Sequence, residues 1–212
     1  HYYGAGKESA DIGRPVKTLF YVTVSTGVGG GVVDNGSVFL GANGLTGEIG
    51  HTLVDTSSSA LTCQCGATGC LEAMASGTGI ERIARQKVAS GDFSESFLAE
   101  LDAGSLDSEA VFDAAGKNDP LAMSIVTGAV SALAIGLTNV VHLFNPDMIV
   151  LGGGVTQGLV KLDLLPRIDQ GIRERTMSEL HKEFQLTSAR LGDSVGLAGA
   201  AALVWDQLAA EG

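Results

Sequence analysis

Leu19-Phe20-Tyr21-Val22-Thr23-Val24-Ser25, followed by Thr26-Gly27-Val28-Gly29-Gly30-Gly31 and then Val32-Val33-Asp34-Asn35-Gly36-Ser37-Val38-Phe39-Leu40, is the stretch that decides the fold. Its first seven residues are mostly β-branched or aromatic, which predicts a strand. The glycine run Thr26 to Gly31 predicts a loop. Asn35-Gly36 between apolar pairs is a strong hairpin signal, because both central positions of a type I′ turn need positive φ. The segment therefore opens as a β-meander. A strand–glycine turn–strand can aim its N–H groups at phosphate oxygens; a tight structural hairpin accounts for the same letters equally well. It is not a Walker A loop, since no Gly-Lys-Ser/Thr follows, and it lacks the helix that a dinucleotide fingerprint requires.

Outward from this stretch the pattern changes. Gly4 to Val16 is polar and reads as an irregular lead-in, and residues 41–72 are rich in loops. Thr78 with Glu81 forms a candidate capping box for a helix over Ile80 to Val88. Ser108 can cap a helix to Ala115, with Gly116 as its stop. Asp119-Pro120 predicts a cap and first-turn proline. After it, Leu121, Ile125, Ala129, Leu133, Leu137 and Val140 fall at helical spacing. Met148-Ile149-Val150-Leu151 is a wholly apolar strand of the parallel-sheet kind. Gly152-Gly153-Gly154 leads into a helix reaching about Met177, Phe184 to Leu191 reads as a last strand, and Gly196 to Leu208 as a closing helix. Strands first, then helix alternating with strand, is an α/β pattern.

The chain has 212 residues, 45% apolar and 17% charged, which suits a globular protein with a core that needs no disulfide staples. Thirty glycines without a collagen period must serve turns and close backbone approaches. The net charge of −11 opposes contact with nucleic acid by these residues. An anionic ligand would be held by backbone N–H groups and a metal rather than by a basic patch. The opening residues carry no basic, apolar targeting pattern. The apolar run from Leu121 to Pro146, flanked by Asp119 and Asp147, reads as a buried core helix and not a membrane span.

The three cysteines fall within eight residues: Gly50-His51, eleven residues, then Cys63-Gln64-Cys65-Gly66-Ala67-Thr68-Gly69-Cys70. Three thiolates and one imidazole are a standard tetrahedral set for Zn²⁺, and four protein ligands leave no open position, so the expected site is structural. Such a cluster also points to a reducing, cytoplasmic compartment. Glu48 and Glu72 flank this loop. Their spacing fits solvated carboxylates and hydroxyl acceptors equally well; a carboxylate can accept hydrogen bonds from neighbouring sugar hydroxyls.

Several of these motifs together resemble the ROK family of sugar kinases and repressors. They are Ser25 to Gly31, Gly41-Ala42-Asn43-Gly44-Leu45-Thr46-Gly47-Glu48-Ile49-Gly50-His51, the run Cys63 to Ala73, Asn145-Pro146-Asp147 with Ile149 to Gly153, and Gly192 with Gly196 to Ala201. The resemblance spans nearly the whole chain. It implies an actin-like ATPase (ribonuclease H-like) α/β fold with an incomplete N-terminal lobe. Residues 1–20 would then be a lead-in from that lobe, and 21–212 a sugar kinase domain carrying its zinc loop at 48–72. It implies ATP- and Mg²⁺-dependent phosphorylation of a hexose or N-acylhexosamine. Sugar hydroxyls fall to Glu48, His51 and Glu72, structural zinc to His51, Cys63, Cys65 and Cys70, and ATP to Thr26, Gly27, Gly29, Gly30, Gly31, Gly153 and Gly154. His51 then offers one ring nitrogen to the metal and the other to the sugar.

The run Val24 to Val33 looks most like N-acetylmannosamine kinases, whereas Glu48 is commoner in glucokinase-like members. The family's catalytic Asn-Asp pair should lie upstream of residue 1, so no catalytic base is assigned in this chain, and the chain alone is expected to be inactive. Asn118-Asp119 has the right letters but sits at a predicted helix cap. A sugar-responsive transcriptional repressor is the alternative, against which the intact glycine run argues. The charge-free helix from Leu121 could also bury a face in a homo-oligomer, and a homodimer or homotetramer is expected.

Overall fold

The computed structural model describes residues 15–91, 93–102 and 104–211, so most of the expected lead-in lies outside the described residues. The sheet is assembled on β1 (Thr18–Val24). β1 pairs antiparallel with β2 (Val28–Asp34), from Thr18 opposite Asp34 to Val24 opposite Val28. On its other edge it pairs parallel with β4 (Met148–Gly152), from Leu19 opposite Met148 to Thr23 opposite Gly152. With β3 (Ser37–Val38) beside β2 and β5 (Gln185–Ser188) parallel to β4, the order is β3-β2-β1-β4-β5.

The Asn35-Gly36 turn forms as expected, with φ of 47° and 83° at its two central positions. The glycine run does not form the expected loop. Only Ser25–Gly27 turns; Gly29, Gly30 and Gly31 lie inside β2, opposite Thr23, Val22 and Tyr21. The reason is a tertiary approach invisible to local pattern. A Cβ on Gly30 would sit 2.7 Å from the Gly47 carbonyl oxygen and 2.9 Å from the Phe20 ring. Gly47, at φ 96°, presses back on Gly30. The loop leading to Glu48 therefore rests directly on β2.

One face of the sheet, carrying Phe20, Val22, Val24, Ile149 and Leu151, packs against the helices. The other carries Leu19, Met148 and Val150. The helices are α1 (Leu71–Ala75), α2 (Gly77–Ser90), α3 (Ser108–Gly116), α4 (Pro120–Phe144), α5 (Gly154–Lys161), α6 (Leu165–Arg175) and α7 (Val195–Glu211). α4 is the central one, and it is long and apolar enough to cross a bilayer. However, 67% of its most apolar window is buried inside the protein, as expected for a core helix. Asp119 starts α4 by accepting the Ala122 amide at 2.9 Å. The same buried carboxylate accepts the Ser96 hydroxyl and the Phe97 amide at 2.9 and 2.8 Å. Asn118-Asp119 is thus a structural cap.

Two other caps shift from their expected places. Ser76, not Thr78, caps α2 by accepting the Gly79 amide, because the Thr78 hydroxyl is drawn to the Thr26 carbonyl. Asp107, not Ser108, caps α3. The single helix expected up to Met177 is broken in two: Asp163 adopts φ 53° and Pro166 sits in the first turn of α6, a position where proline is favoured. Arg173 ties α6 to the segment before β5. It pairs with Asp169 at 2.5 Å, donates to the Lys182 and Phe184 carbonyls, and stacks over the Phe184 ring at 4.6 Å.

Asn145-Pro146-Asp147 joins α4 to the sheet. Asn145 ends the helix in the left-handed region at φ 43°. Buried Asp147 then accepts the Lys17 and Thr18 amides at 2.8 and 2.9 Å and donates its own N–H to the Thr18 carbonyl. Asp147→Ala strands two amides, and hydrogen bonds to charged groups contribute about 1.5–3 kcal/mol each. Its urea midpoint should fall by the equivalent of about 2–3 kcal/mol, with Asp147→Asn losing less; a midpoint unchanged in both would remove this clip from the account of the fold.

Candidate metal centre and ligand cleft

The cysteine segment is shaped by backbone hydrogen bonds. Cys63 N–H donates to the Ala67 carbonyl at 2.7 Å and Gly66 N–H to the Cys63 carbonyl at 3.0 Å, closing a tight turn around Cys65. Bridges between Thr62 and Thr68 and between Leu53 and Cys70 fold it into a small ribbon. His51 arrives from a 3₁₀ turn, Ile49–His51, whose first carbonyl comes from Glu48.

The structure brings all four expected ligands together: His51, Cys63, Cys65 and Cys70 present donor atoms within 4.8 Å of one another. Cys63 Sγ lies 3.8 Å from His51 Nδ1, and Cys65 Sγ lies 3.7 Å from Cys70 Sγ. Zinc–sulfur bonds of about 2.3 Å arranged tetrahedrally put sulfurs about 3.8 Å apart, so these spacings fit one Zn²⁺ ion. Nδ1 faces the sulfurs, which leaves Nε2 as the other nitrogen of the exposed ring. Cys65 is held below the usual thiol range, first by its backbone hydrogen bond with Ala67 and then by the Cys63 thiol. Burial first, and the neighbouring sulfurs next, push Cys70 up to about 12. Such opposed thiols side by side are what a cation must resolve by displacing protons.

Glu72 links this centre to the glycine turn. Its Oε1 lies 3.8 Å from Cys63 Sγ, and its Oε2 accepts the Val28 amide at 2.9 Å. Cys63 therefore stands between His51 and Glu72, with Glu48 at the head of the same short turn as His51. The Ser25–Gly27 turn is also docked on α2, through Gly77 N–H to the Ser25 carbonyl at 2.6 Å and Thr78 to the Thr26 carbonyl. The amides of Thr26 and Gly27 have no acceptor among the described residues.

Gly153 and Gly154 lie elsewhere, past the carboxyl end of β4. They line a cavity of about 670 Å³ with Tyr21, Thr23, Ser25 and Lys161. The carboxyl ends of parallel strands are where open α/β sheets receive ligands. Gly153 opens α5 at φ 94°, and a Cβ there would meet the β1 backbone. Burial raises the Tyr21 hydroxyl above its ordinary value. Lys161 pairs with Asp113 at 2.8 Å, and that hydrogen bond holds the ammonium above its ordinary range. Ser25 belongs to both the glycine turn and this cavity, so the two glycine elements share one cleft. Sequence reasoning overlooked Tyr21 and Lys161. Lys161 closes the helix that follows the glycine triplet, a position that could have flagged it; Tyr21 has no local signal, since it reads as an ordinary strand residue.

A central strand with an antiparallel hairpin on one edge, parallel strands on the other and helices returning between them defines an actin-like ATPase (ribonuclease H-like) fold. Residues 6–207 match the family model described as ROK family, and the chain belongs to that family. It is 37% identical over 195 residues to a glucokinase of Halalkalibacterium halodurans, covering 92% of this chain and 58% of the relative. A crystal structure of a ROK family glucokinase from Streptomyces griseus, in complex with glucose and AMPPNP, superposes with a TM-score of 0.74 at 28% identity, covering 90% of this chain and 61% of that one. A ROK family transcriptional regulator, a homolog of the E. coli MLC protein, superposes with a TM-score of 0.75 at 31% identity, covering 92% and 46%. The chain thus spans about half to three fifths of the length of these relatives.

Strain at the β2 contact is directly measurable. Gly47→Ala forces a side chain into both a positive-φ backbone and the Gly30 carbonyl, a class of cost of about 1–3 kcal/mol. Its chemical-denaturation midpoint should drop accordingly, while Gly44→Ala, in open space at a similar φ, should lose less.

Proposed function

We propose that this chain is the sugar- and nucleotide-binding part of an ATP-dependent sugar kinase acting on a hexose, with glucose favoured over an N-acylhexosamine. The observation that carries this reading is the double contact of Glu72, one oxygen toward Cys63 of the metal cluster and the other on the Val28 amide, which directly follows the glycine turn. A sugar held by Glu72 would therefore be held at a fixed offset from whatever the turn binds. The similarity to glucokinases supports the hexose assignment.

In this reading His51, Cys63, Cys65 and Cys70 hold one Zn²⁺, which supplies rigidity and no chemistry of its own. Glu48 and Glu72 accept hydrogen bonds from sugar hydroxyls, and His51 Nε2 completes the set, its ring fixed through Nδ1. The free amides of Thr26 and Gly27 receive phosphate oxygens, and Gly29, Gly30 and Gly31 give the nucleotide a wall without side chains. The cleft lined by Gly153, Gly154 and Lys161 takes the rest of the nucleotide. Mg²⁺ accompanies ATP and offsets its charge, which the acidic chain does not. Positioning and electrostatics supply most of the catalysis in phosphoryl transfer. The base role goes to an aspartate that the family pattern puts upstream; Asp119, buried as a helix cap, is unsuited to it. Thiolate zinc ligands accord with a cytoplasmic setting.

A sugar-responsive repressor is the second reading, supported by the similarity to the ROK transcriptional regulator. The open amides of Thr26 and Gly27 favour the kinase. In the full-length parent enzyme, Glu72→Gln should raise the sugar KM by one to two orders of magnitude, the equivalent of about 1.5–3 kcal/mol for a charged hydrogen bond. The ATP KM should stay within about twofold. A variant whose ATP KM alone changed would put Glu72 outside the sugar pocket, and a parent that binds sugar but no ATP analogue would favour the repressor. Cys65→Ser should lower zinc from one equivalent per chain and reduce thermal stability, since structural zinc binding is coupled to folding. Elemental analysis paired with thermal melting checks this.

A further inference from the structure

Arg82 is the one described arginine with buried side-chain nitrogens left over. Its Nη1 donates to the Thr62 carbonyl at 2.6 Å, while Nε and Nη2 are buried without an acceptor among the described residues. Thr62 immediately precedes Cys63, and its bridge to Thr68 closes the ribbon that carries Cys63, Cys65 and Cys70. Arg82 also shares a cavity of about 300 Å³ with Cys63 and Glu72. Its neighbour Arg85 is occupied differently, paired along α2 with Glu81 at 2.8 Å.

A guanidinium with two buried, unanswered nitrogens is costly unless its charge is offset nearby. A divalent ion held by three thiolates and a neutral imidazole carries one net negative charge. We propose that Arg82 is a positioning residue for the metal centre: it anchors the Thr62 carbonyl, and so the approach of Cys63 to the ion, while its charge answers that of the loaded cluster. The inference rests on the zinc reading above. It assigns α2 a task beyond packing, since this helix begins at the glycine turn and holds the metal ribbon one turn later.

The test is zinc release from the purified, zinc-loaded protein to an excess of a chromogenic chelator, alongside melting of the loaded and zinc-stripped forms. Outer partners of metal ligands typically alter affinity by 10–100-fold. Arg82→Gln should therefore release zinc at least about tenfold faster than wild type. Arg82→Lys, which keeps the charge but loses the fork, should fall between the two, and Arg85→Gln should match wild type. The melting loss in Arg82→Gln should appear in the loaded protein and largely vanish in the stripped one. Release unchanged in Arg82→Gln, equal acceleration in Arg85→Gln, or an equal melting loss with and without zinc would each overturn the assignment. Should Arg82→Gln not fold, Arg82→Lys decides alone: faster release supports the role and an unchanged rate overturns it. A wild-type protein that retains no zinc would instead overturn the zinc reading itself, and this inference with it.

Discussion

The site depends on one carboxylate. Glu72 lies in the first turn of α1, which begins directly after Cys70, so its backbone is set by the metal ribbon, yet its side chain ends on the Val28 amide, where β2 leaves the glycine turn. That contact ties the start of α1, next to the cluster of His51 and three cysteines, to the first hairpin of the sheet. The close approach of Gly47 to Gly30 adds a second seam, placing the loop that ends in Glu48 against β2. The acidic balance of the chain, 24 acidic against 13 basic residues, matches the proposed reliance on carboxylates and backbone amides.

Much of this was legible because the signals were local. Asn35-Gly36 demanded positive φ at two adjacent positions and nothing else fits that demand so well. Asp119-Pro120 announced a helix start through a cap and a preset φ, and the buried carboxylate confirms both. The His51 and cysteine set was readable because soft donors clustered with glycines between them have few other uses. The family membership confirms the fold that these motifs implied.

What local reading missed was set by tertiary contacts. Gly29, Gly30 and Gly31 look like a loop because glycine disfavours strands; they are strand because they pair with β1, and at Gly30 a loop and an aromatic ring leave no room for a side chain. Thr78 looks like a cap, but the Thr26 carbonyl outbids the backbone of α2 for its hydroxyl and leaves Ser76 to serve. The helix after Gly154 looks continuous because Asp163 gives no warning of its left-handed backbone. Tyr21 and Arg82 carry no motif at all; only the packing of distant segments reveals that they border the two cavities.

The clip at Asp147 has a consequence for how the molecule is made. It fastens the first strand to a carboxylate 130 positions later in the chain, and the central pair β1·β4 closes over the same interval. Contacts of such long separation impose a large loop-closure entropy and slow folding. On the ribosome, the hairpin of β1 and β2 would emerge before α4 and β4 and wait for them with one edge unpaired. An edge left open for that long is where nascent chains stick to one another, and like net charge on the chains opposes that contact.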